Sequence, residues 1–341
     1  MKVINVTGSY YEIGLSTGKY LIEEKKKGFP PKFSSEKIEK AKEYGKVVSD
    51  YFPEILDEFK GMSESSGVDY DTLIAFELSP YRIQPNCLVY AISGKHTTSG
   101  FPTLVRNHEW IEEDAKNLRI FNTQPKGKLT SLGFTFHWPL ASRYGGLNEA
   151  GLAISSASAN FVNTGPGIML NAVTRYILDN CKSIEEAVEF IETMPKVWGE
   201  SYLMIDKNNT IVRVESHREK TNVKYSETGF DMVTFTYGSP EMQQYNSKDR
   251  SQGSSIYSTF EARKKFLDKW FLDNKGKIDK NTIINTLNDC NNQLHYHDKS
   301  DFGSEGTCWN WIAMLGSKTI DVCPGPACKN EFQQIEIGFM N

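Results

Sequence analysis

The sequence has no stretch approaching the roughly 18 unbroken apolar residues that a membrane-spanning helix needs, so no membrane span is expected. Its first residues, MKVINVTGSYYEIGLSTGKYL, place a polar residue or a glycine every few positions. They therefore lack the apolar core of about 7 to 15 residues that marks an export signal, and a cytoplasmic protein is expected. Basic charge is not in surplus: the formal net charge is -4, which leaves no footprint for nucleic acid and favours a small-molecule partner. Histidine is scarce, and none of the six (His96, His108, His137, His217, His295, His297) sits in a cysteine-protease signature. Repeats and low-complexity segments are missing too. Six cysteines (Cys87, Cys181, Cys290, Cys308, Cys323, Cys328) show no framework spacing, so reduced thiols are expected. Cys323 and Cys328 in CPGPAC, with His295 and His297, make a poor zinc set, because structural zinc sites use paired CxxC-like knuckles.

What is present is an ordinary globular composition, 39% hydrophobic and 24% charged, which excludes a disordered chain and supports a large core. Residues 1–80 read as helical, with apolar residues at helical spacing over 34–50 and 52–66, a stop at Gly67, and a capped short helix ending at Leu78. The texture changes at about residue 86. Short alternating runs at 88–93, 103–106, 131–138 and 152–156 read as strands. Helices are expected over about 167–180 and 183–193, the second opening with Ser183 and Glu186 as a capping box. Strands return over 201–206, 210–216, 221–225 and 231–236, with a hairpin turn at Asp206-Lys207-Asn208-Asn209. Helices at about 256–272 and 280–291 and strands near 308–315, 319–323 and 333–338 complete a pattern of sheets covered by helix layers.

Cys87 stands at the compositional boundary, directly before a strand, and has two readings. One is a small buried hydrophobe. The other is a thiol that cuts the Asn86-Cys87 bond and thereby frees its own α-amine. Such an amine has a pKa of about 7.7 to 8.0 and can accept the thiol proton without a partner histidine. About twenty residues on, at the end of the next expected strand, comes Arg106-Asn107-His108-Glu109-Trp110. A hairpin would bring it beside Cys87, where Arg106 can fix the surroundings of the nucleophile and Glu109 can pair with an α-ammonium. Read alone, the cluster is equally a strand running into a solvated charged loop.

Several motifs recur in a fixed order. Gly8, Glu12, Ile13, Gly14 and Gly18 give G-x-x-x-E-I-G-x-x-x-G. Pro53 to Gly61 and Gly67 to Leu73 precede the junction; Arg106-Asn107 and Trp110 follow it. Then come Gly146-Leu147-Asn148-Glu149-Ala150-Gly151-Leu152-Ala153, Arg175, Glu185-Glu186-Ala187, Glu215 and Gly325-Pro326-Ala327-Cys328. In this order the chain resembles the acyl-CoA:6-aminopenicillanic acid acyltransferase (isopenicillin N acyltransferase) family of N-terminal-nucleophile hydrolases.

The resemblance implies an α+β, four-layer αββα sandwich. Residues 1–86 would be a helical pro-segment that becomes the smaller chain, and residues 87–341 the catalytic domain. It implies a self-processing cysteine amidohydrolase or acyltransferase, with cleavage between Asn86 and Cys87, acting on a linear amide or acyl thioester such as an acyl-CoA. No metal or organic cofactor is required. Cys87 matches the nucleophile, Arg106 and Glu109 the family's arginine and aspartate, and Arg263 a second arginine. Asn160 matches an oxyanion-hole asparagine, since developing negative charge needs preplaced donors. Tyr237, in Thr236-Tyr237-Gly238, replaces a second asparagine and would donate from its hydroxyl. Asn86 stands where glycine is common, and Trp138, Tyr144 and Trp309 are candidates for an acyl pocket. An unprocessed relative that binds a ligand without catalysis is the alternative.

Overall fold

The computed structural model describes residues 3–25, 28–80, 87–111, 117–136, 140–160, 164–246, 254–289, 294, 297–300 and 303–339. β1 (Val3–Gly8) leads into four helices, α1 (Tyr10–Lys25), α2 (Ser35–Tyr51), α3 (Pro53–Ser66) and α4 (Tyr70–Glu77). Then come β2 (Cys87–Ile92), β3 (Thr103–Ile111), β4 (Leu118–Pro125), β5 (Ser131–Phe136), β6 (Gly145–Asn148) and β7 (Leu152–Asn160), followed by α5 (Leu170–Asn180) and α6 (Ile184–Thr193). β8 (Gly199–Asp206), β9 (Ile211–Ser216), β10 (Thr221–Tyr225) and β11 (Phe230–Val233) precede α7 (Ser254–Asn274) and α8 (Lys280–Asn288). β12 (His297–Ser300), β13 (Gly303–Met314), β14 (Thr319–Pro324) and β15 (Gln333–Glu336) close the chain.

The strands form two sheets. The first runs β1-β4-β5-β6-β7-β8-β9-β10, and the second β11-β2-β3-β13-β14-β15 with β12 paired to β13. The sequence of β2, CLVYAI, shows why they stack. All six residues are buried, and a strand covered on both faces carries an unbroken apolar run. Cys87, Val89 and Ala91 point into the core between the sheets. Leu88, Tyr90 and Ile92 point the other way, onto Leu267, Trp270 and Phe271 of α7 and Ile283 and Leu287 of α8. On the far side α5 covers β5, β6 and β7, and α6 covers β8 and β9. The protein is thus an α+β, four-layer αββα sandwich. Among the described residues no helix is long and apolar enough to cross a membrane.

Residues 3–8 correct the expectation of a helical N-terminus. They form a strand parallel to β4, with Ile4 and Val6 buried and Asn5 and Thr7 exposed. Six residues of period-two pattern butt directly against a helix, so the helical periodicity dominated the longer window. Between α1 and α3 the two backbones nearly touch. A Cβ added at Gly14 would fall 2.0 Å from the Glu58 carbonyl oxygen, which explains a glycine of the first motif.

Buried charge ties this N-terminal region to the rest. Arg175 of α5 donates from Nη2 to Glu58 Oε2 of α3 (3.1 Å) and from Nε to Asp179 Oδ2 (2.6 Å), and all three side chains are fully buried. Tyr10 donates its hydroxyl to the same Asp179 oxygen (2.7 Å). Burial weakens the hold of Arg175 on its proton; Asp179 and Glu58 more than offset that, so the guanidinium stays charged. Under the other end of α5, Glu200 of β8 receives the Tyr202 hydroxyl and the Leu170 N–H, supplying the cap that Met169 cannot. Burial pushes the Glu200 carboxyl up to about 8, against these hydrogen bonds.

Two outcomes follow. Gly14→Ala should lose about 1 to 3 kcal/mol or more in a denaturant titration, because the added methyl has only backbone to push against. Glu200 has a folded pKa above its unfolded value near 4.5, so its stabilising contribution is complete below about pH 4.5 and is lost as pH rises through about 8. The wild-type melting temperature should therefore fall between about pH 5 and about pH 9, and Glu200→Gln should flatten that fall. An unchanged slope in the variant rules Glu200 out as its source.

Candidate active site

Cys87 opens β2, and the antiparallel ladder with β3 sets Cys87 opposite His108 and Val89 opposite Arg106. Side chains alternate along a strand, so Cys87, Arg106 and His108 share the face that looks at the first sheet. Arg106 Nη2 donates to Cys87 Sγ at 2.9 Å and lies 3.1 Å from His108 Nδ1, and Sγ itself is 3.8 Å from that nitrogen. Arg106 Nη1 reaches across to the Tyr144 carbonyl (2.6 Å), the Ser156 carbonyl (2.8 Å) and the Ser155 hydroxyl. The guanidinium therefore bridges the two sheets while one nitrogen faces the sulfur. The His108 ring stands edge-on between Trp309, 4.2 Å between ring centres, and Tyr144, 5.6 Å away.

The other face of β3 carries Asn107 and Glu109. Glu109 Oε2 pairs with Arg263 Nη1 of α7 at 2.7 Å, both side chains almost wholly buried. The Glu109 backbone N–H faces the Cys87 sulfur. Asn107 donates to the Leu294 carbonyl (2.8 Å) and accepts from Asn310 (2.7 Å), whose own oxygen accepts the Ala327 N–H (3.1 Å). The Arg106-Asn107 motif and the Gly325-Pro326-Ala327-Cys328 motif thus meet at one pair of asparagines.

β3 does not end at Arg106 but continues to Ile111, so Asn107, His108 and Glu109 are buried strand residues and not a solvated loop. Helix cover on one side and the partner sheet on the other make a polar strand segment buried, and ion pairing with Arg263 compensates the Glu109 charge. His108 was left without a role by its sequence context. Extending the Cys87 hairpin register by one more pair would have placed it beside the thiol.

Burial pushes the Cys87 thiol above its ordinary pKa, opposed by Arg106 and the Glu109 N–H. Burial, reinforced by the Arg106 charge, holds His108 well below 6.5, so the imidazole is neutral. Arg106 has no lone pair, so His108 Nδ1 must be the acceptor and the ring hydrogen sits on Nε2.

The remaining sequence candidates are placed as follows. Asn160 ends β7 beyond a bulge and pairs with Gly199; its side chain lies outside the described residues. Tyr237 is buried, with its hydroxyl donating to the Ser216 carbonyl at 2.8 Å and its N–H to Asn246 Oδ1 at 2.8 Å. Glu215, one of the residues on which the resemblance rests, accepts the next two amides, from Gly238 (2.5 Å) and Ser239 (3.2 Å). Asn86, Cys290, Trp138 and His295 lie outside the described residues, as does the side chain of His297. Cys328 is disulfide-bonded while Cys87, Cys181, Cys308 and Cys323 are free, which corrects the expectation of reduced thiols throughout. Pairing depends on which thiols the fold brings together, and scattered spacing does not reveal that. The zinc set loses Cys328 as a thiolate, and among the described residues no group of three or more metal-ligating side chains assembles.

Two packed sheets between helix layers, with a thiol at the head of an inner strand, define an N-terminal-nucleophile hydrolase fold. A mutant of conjugated bile acid hydrolase from Clostridium perfringens shares it, with a TM-score of 0.51 and 15% identity over 75% of this chain and 93% of that one. Penicillin V acylase from Agrobacterium tumefaciens gives a TM-score of 0.47 and 16% identity over 74% and 86% of the two chains. No curated protein sequence matches. The family model for acyl-coenzyme A:6-aminopenicillanic acid acyl-transferase matches residues 96–326, more than half of the chain, and the chain belongs to that family. The matched region contains Arg106, Glu109 and Arg263 and begins just after Cys87.

The Glu109–Arg263 pair should behave as a buried unit. Arg263→Met should cost about 3 to 5 kcal/mol, because it leaves a carboxylate without its counter-charge, and Arg263→Met/Glu109→Gln should recover much of that loss. Additive losses in the double variant, measured by denaturant unfolding, would show that the two do not act together.

Proposed function

We propose that this protein is a self-processing acyl-transfer enzyme, an amidohydrolase or acyltransferase, whose nucleophile is Cys87. The observation that carries the reading is the Arg106 guanidinium 2.9 Å from a thiol at the head of an inner strand, in a chain of this family.

Cutting the Asn86-Cys87 bond would leave Cys87 with a free α-amine, whose pKa of about 7.7 to 8.0 suits it to take the thiol proton at neutral pH. Arg106 would then hold the thiolate by a charge-assisted hydrogen bond. Glu109, fixed by Arg263, would orient the α-ammonium. The thiolate attacks the carbonyl carbon of a linear amide or acyl thioester, and the negative charge moves to the carbonyl oxygen. The ammonium protonates the departing amine or thiol, which leaves a thioester on Cys87. Water or an acceptor amine resolves it. No cofactor enters these steps. Asn160 is proposed as the side-chain donor to the oxyanion. Tyr237, with its hydroxyl committed to Ser216, is assigned to holding its loop.

The segment of residues 1–86 would stay bound after the cut, through the β1–β4 ladder and the Glu58–Arg175 pair. A disulfide at Cys328 fits an oxidising compartment better than the cytoplasm expected from the sequence.

Intact mass spectrometry tests the reading. Wild-type protein should appear as two chains split before Cys87, and Cys87→Ala as one chain that a thiol-reactive acyl analogue does not label at that position. A wild-type chain that is wholly uncut and unreactive at Cys87 sinks the proposal and favours a ligand-binding relative.

A further inference from the structure

The α-amine that serves turnover does not exist until the chain has been cut. Before that, the Cys87 nitrogen is an amide and has no basicity to offer. Burial meanwhile keeps the Cys87 thiol protonated at neutral pH, even with Arg106 beside it. The first cut therefore needs a proton acceptor that the mature enzyme does not.

We propose that His108 is that acceptor, the general base for self-cleavage, and that the α-amine takes over the task once the chain is cut. This rests on the self-processing reading above. The geometry is specific. His108 sits directly across the ladder from Cys87, with Nδ1 3.8 Å from Sγ. The Arg106 contact at 3.1 Å fixes Nδ1 as the nitrogen with the lone pair. Trp309 and Tyr144 hold the ring in that orientation. The two other histidines whose side chains are described are engaged elsewhere, His96 with the Thr228 carbonyl and His217 with the Tyr245 ring. Because Arg106 and burial keep the imidazole neutral, Nδ1 remains an acceptor through the pH range in which an ordinary histidine would charge.

The step balances. Sγ attacks the carbonyl carbon of Asn86 as the Arg106 N–H gives up the single lone pair of His108 Nδ1 and the S–H proton passes to it. The bond from that carbon to the Cys87 nitrogen breaks with its electron pair on nitrogen, and His108 returns the proton to it. A thioester between Asn86 and Sγ and a free amine on Cys87 result. Water then hydrolyses the thioester, giving the Asn86 carboxylate and restoring the thiol. The imidazolium beside the Arg106 charge is short-lived, which favours quick return of the proton.

His108 could instead act only by steadying Arg106, and the test separates the two roles. In His108→Asn the amide oxygen falls where Nδ1 sits and can accept from Arg106, but it cannot take a proton. Full-length precursor is unfolded in denaturant, refolded, and sampled over time by intact mass spectrometry, with circular dichroism to verify the fold. His108→Asn should cut about 100-fold or more slowly than wild type. In His108→Ala, a second variant in case the first does not fold, cutting should be equally slow and should speed up with added imidazole. If either folded variant cuts within about threefold of the wild-type rate, His108 is not the base. A wild-type chain that never cuts, like Cys87→Ala, overturns the self-processing reading itself, and the base assignment with it.

Discussion

One buried guanidinium sets the geometry on which the rest depends. Arg106 is 1% exposed, and removing such a charge from water costs several kcal/mol unless its donors are met. Those on its two terminal nitrogens are met from both sheets: the Tyr144 and Ser156 carbonyls and the Ser155 hydroxyl take Nη1 on one side, Cys87 Sγ and His108 Nδ1 take Nη2 on the other, and Nε alone has no acceptor among the described residues. The same contacts that make the charge tolerable therefore fix the spacing of the sheets at the point where the sulfur sits. A lysine could not replace it. Its single ammonium has no planar fork with which to reach carbonyls in one sheet and a thiol in the other.

The N-terminal region is built into this arrangement and does not merely cover it. Its first strand extends the sheet that receives Arg106, and α3 contributes Glu58 to Arg175, which also donates to the Ala141 carbonyl at 2.5 Å. Ala141 lies three residues before Tyr144, so the chain that holds the Arg106 acceptors is itself held from residues 1–86. Glu77 of α4 adds to this through the Leu140 N–H at 2.8 Å. Pulling the two parts of the chain away from each other would expose the paired charges of Glu58 and Arg175 together with the edge of β4 that pairs with β1. On the function proposed, a cut before Cys87 would thus change the chemistry there with no need for the fold to come apart.

Much of this was legible in residues whose neighbours in sequence determine their conformation. Ser34 caps α2 and Asp69 caps α4, as their positions before apolar periodic runs indicate. Ser183 and Glu186 form the expected cap of α6, with the Glu186 carboxylate on the Lys182 N–H. The turn at Asp206 to Asn209 joins β8 to β9, with Asn209 at a φ of 73°. What escaped was decided by distant partners. β4 and β6 carry arginine, asparagine or adjacent glycines and read as irregular until a neighbouring strand is present to pair them. Asn107 to Glu109 read as loop because three polar residues in a strand make sense only when Asn310, Arg263 and Cys87 are known to meet them. The Cys328 disulfide has no local signature at all.

The Tyr237 loop shows how a departure from a family pattern is absorbed by structure. The resemblance placed a second oxyanion donor there, and a phenol can replace an amide only if its proton is available. Here the ring carries the hydroxyl out to β9, where it is spent on the Ser216 carbonyl. The backbone offers no substitute, since the amides of Tyr237, Gly238 and Ser239 are taken in turn by Asn246 and by both oxygens of Glu215. Removing one preorganised donor from such a site typically lowers kcat by about 100- to 1,000-fold. On the mechanism proposed, transition-state stabilisation therefore shifts from this loop toward Asn160 and the surroundings of Cys87. Arg106, which already faces the sulfur, is the cation best placed there to compensate.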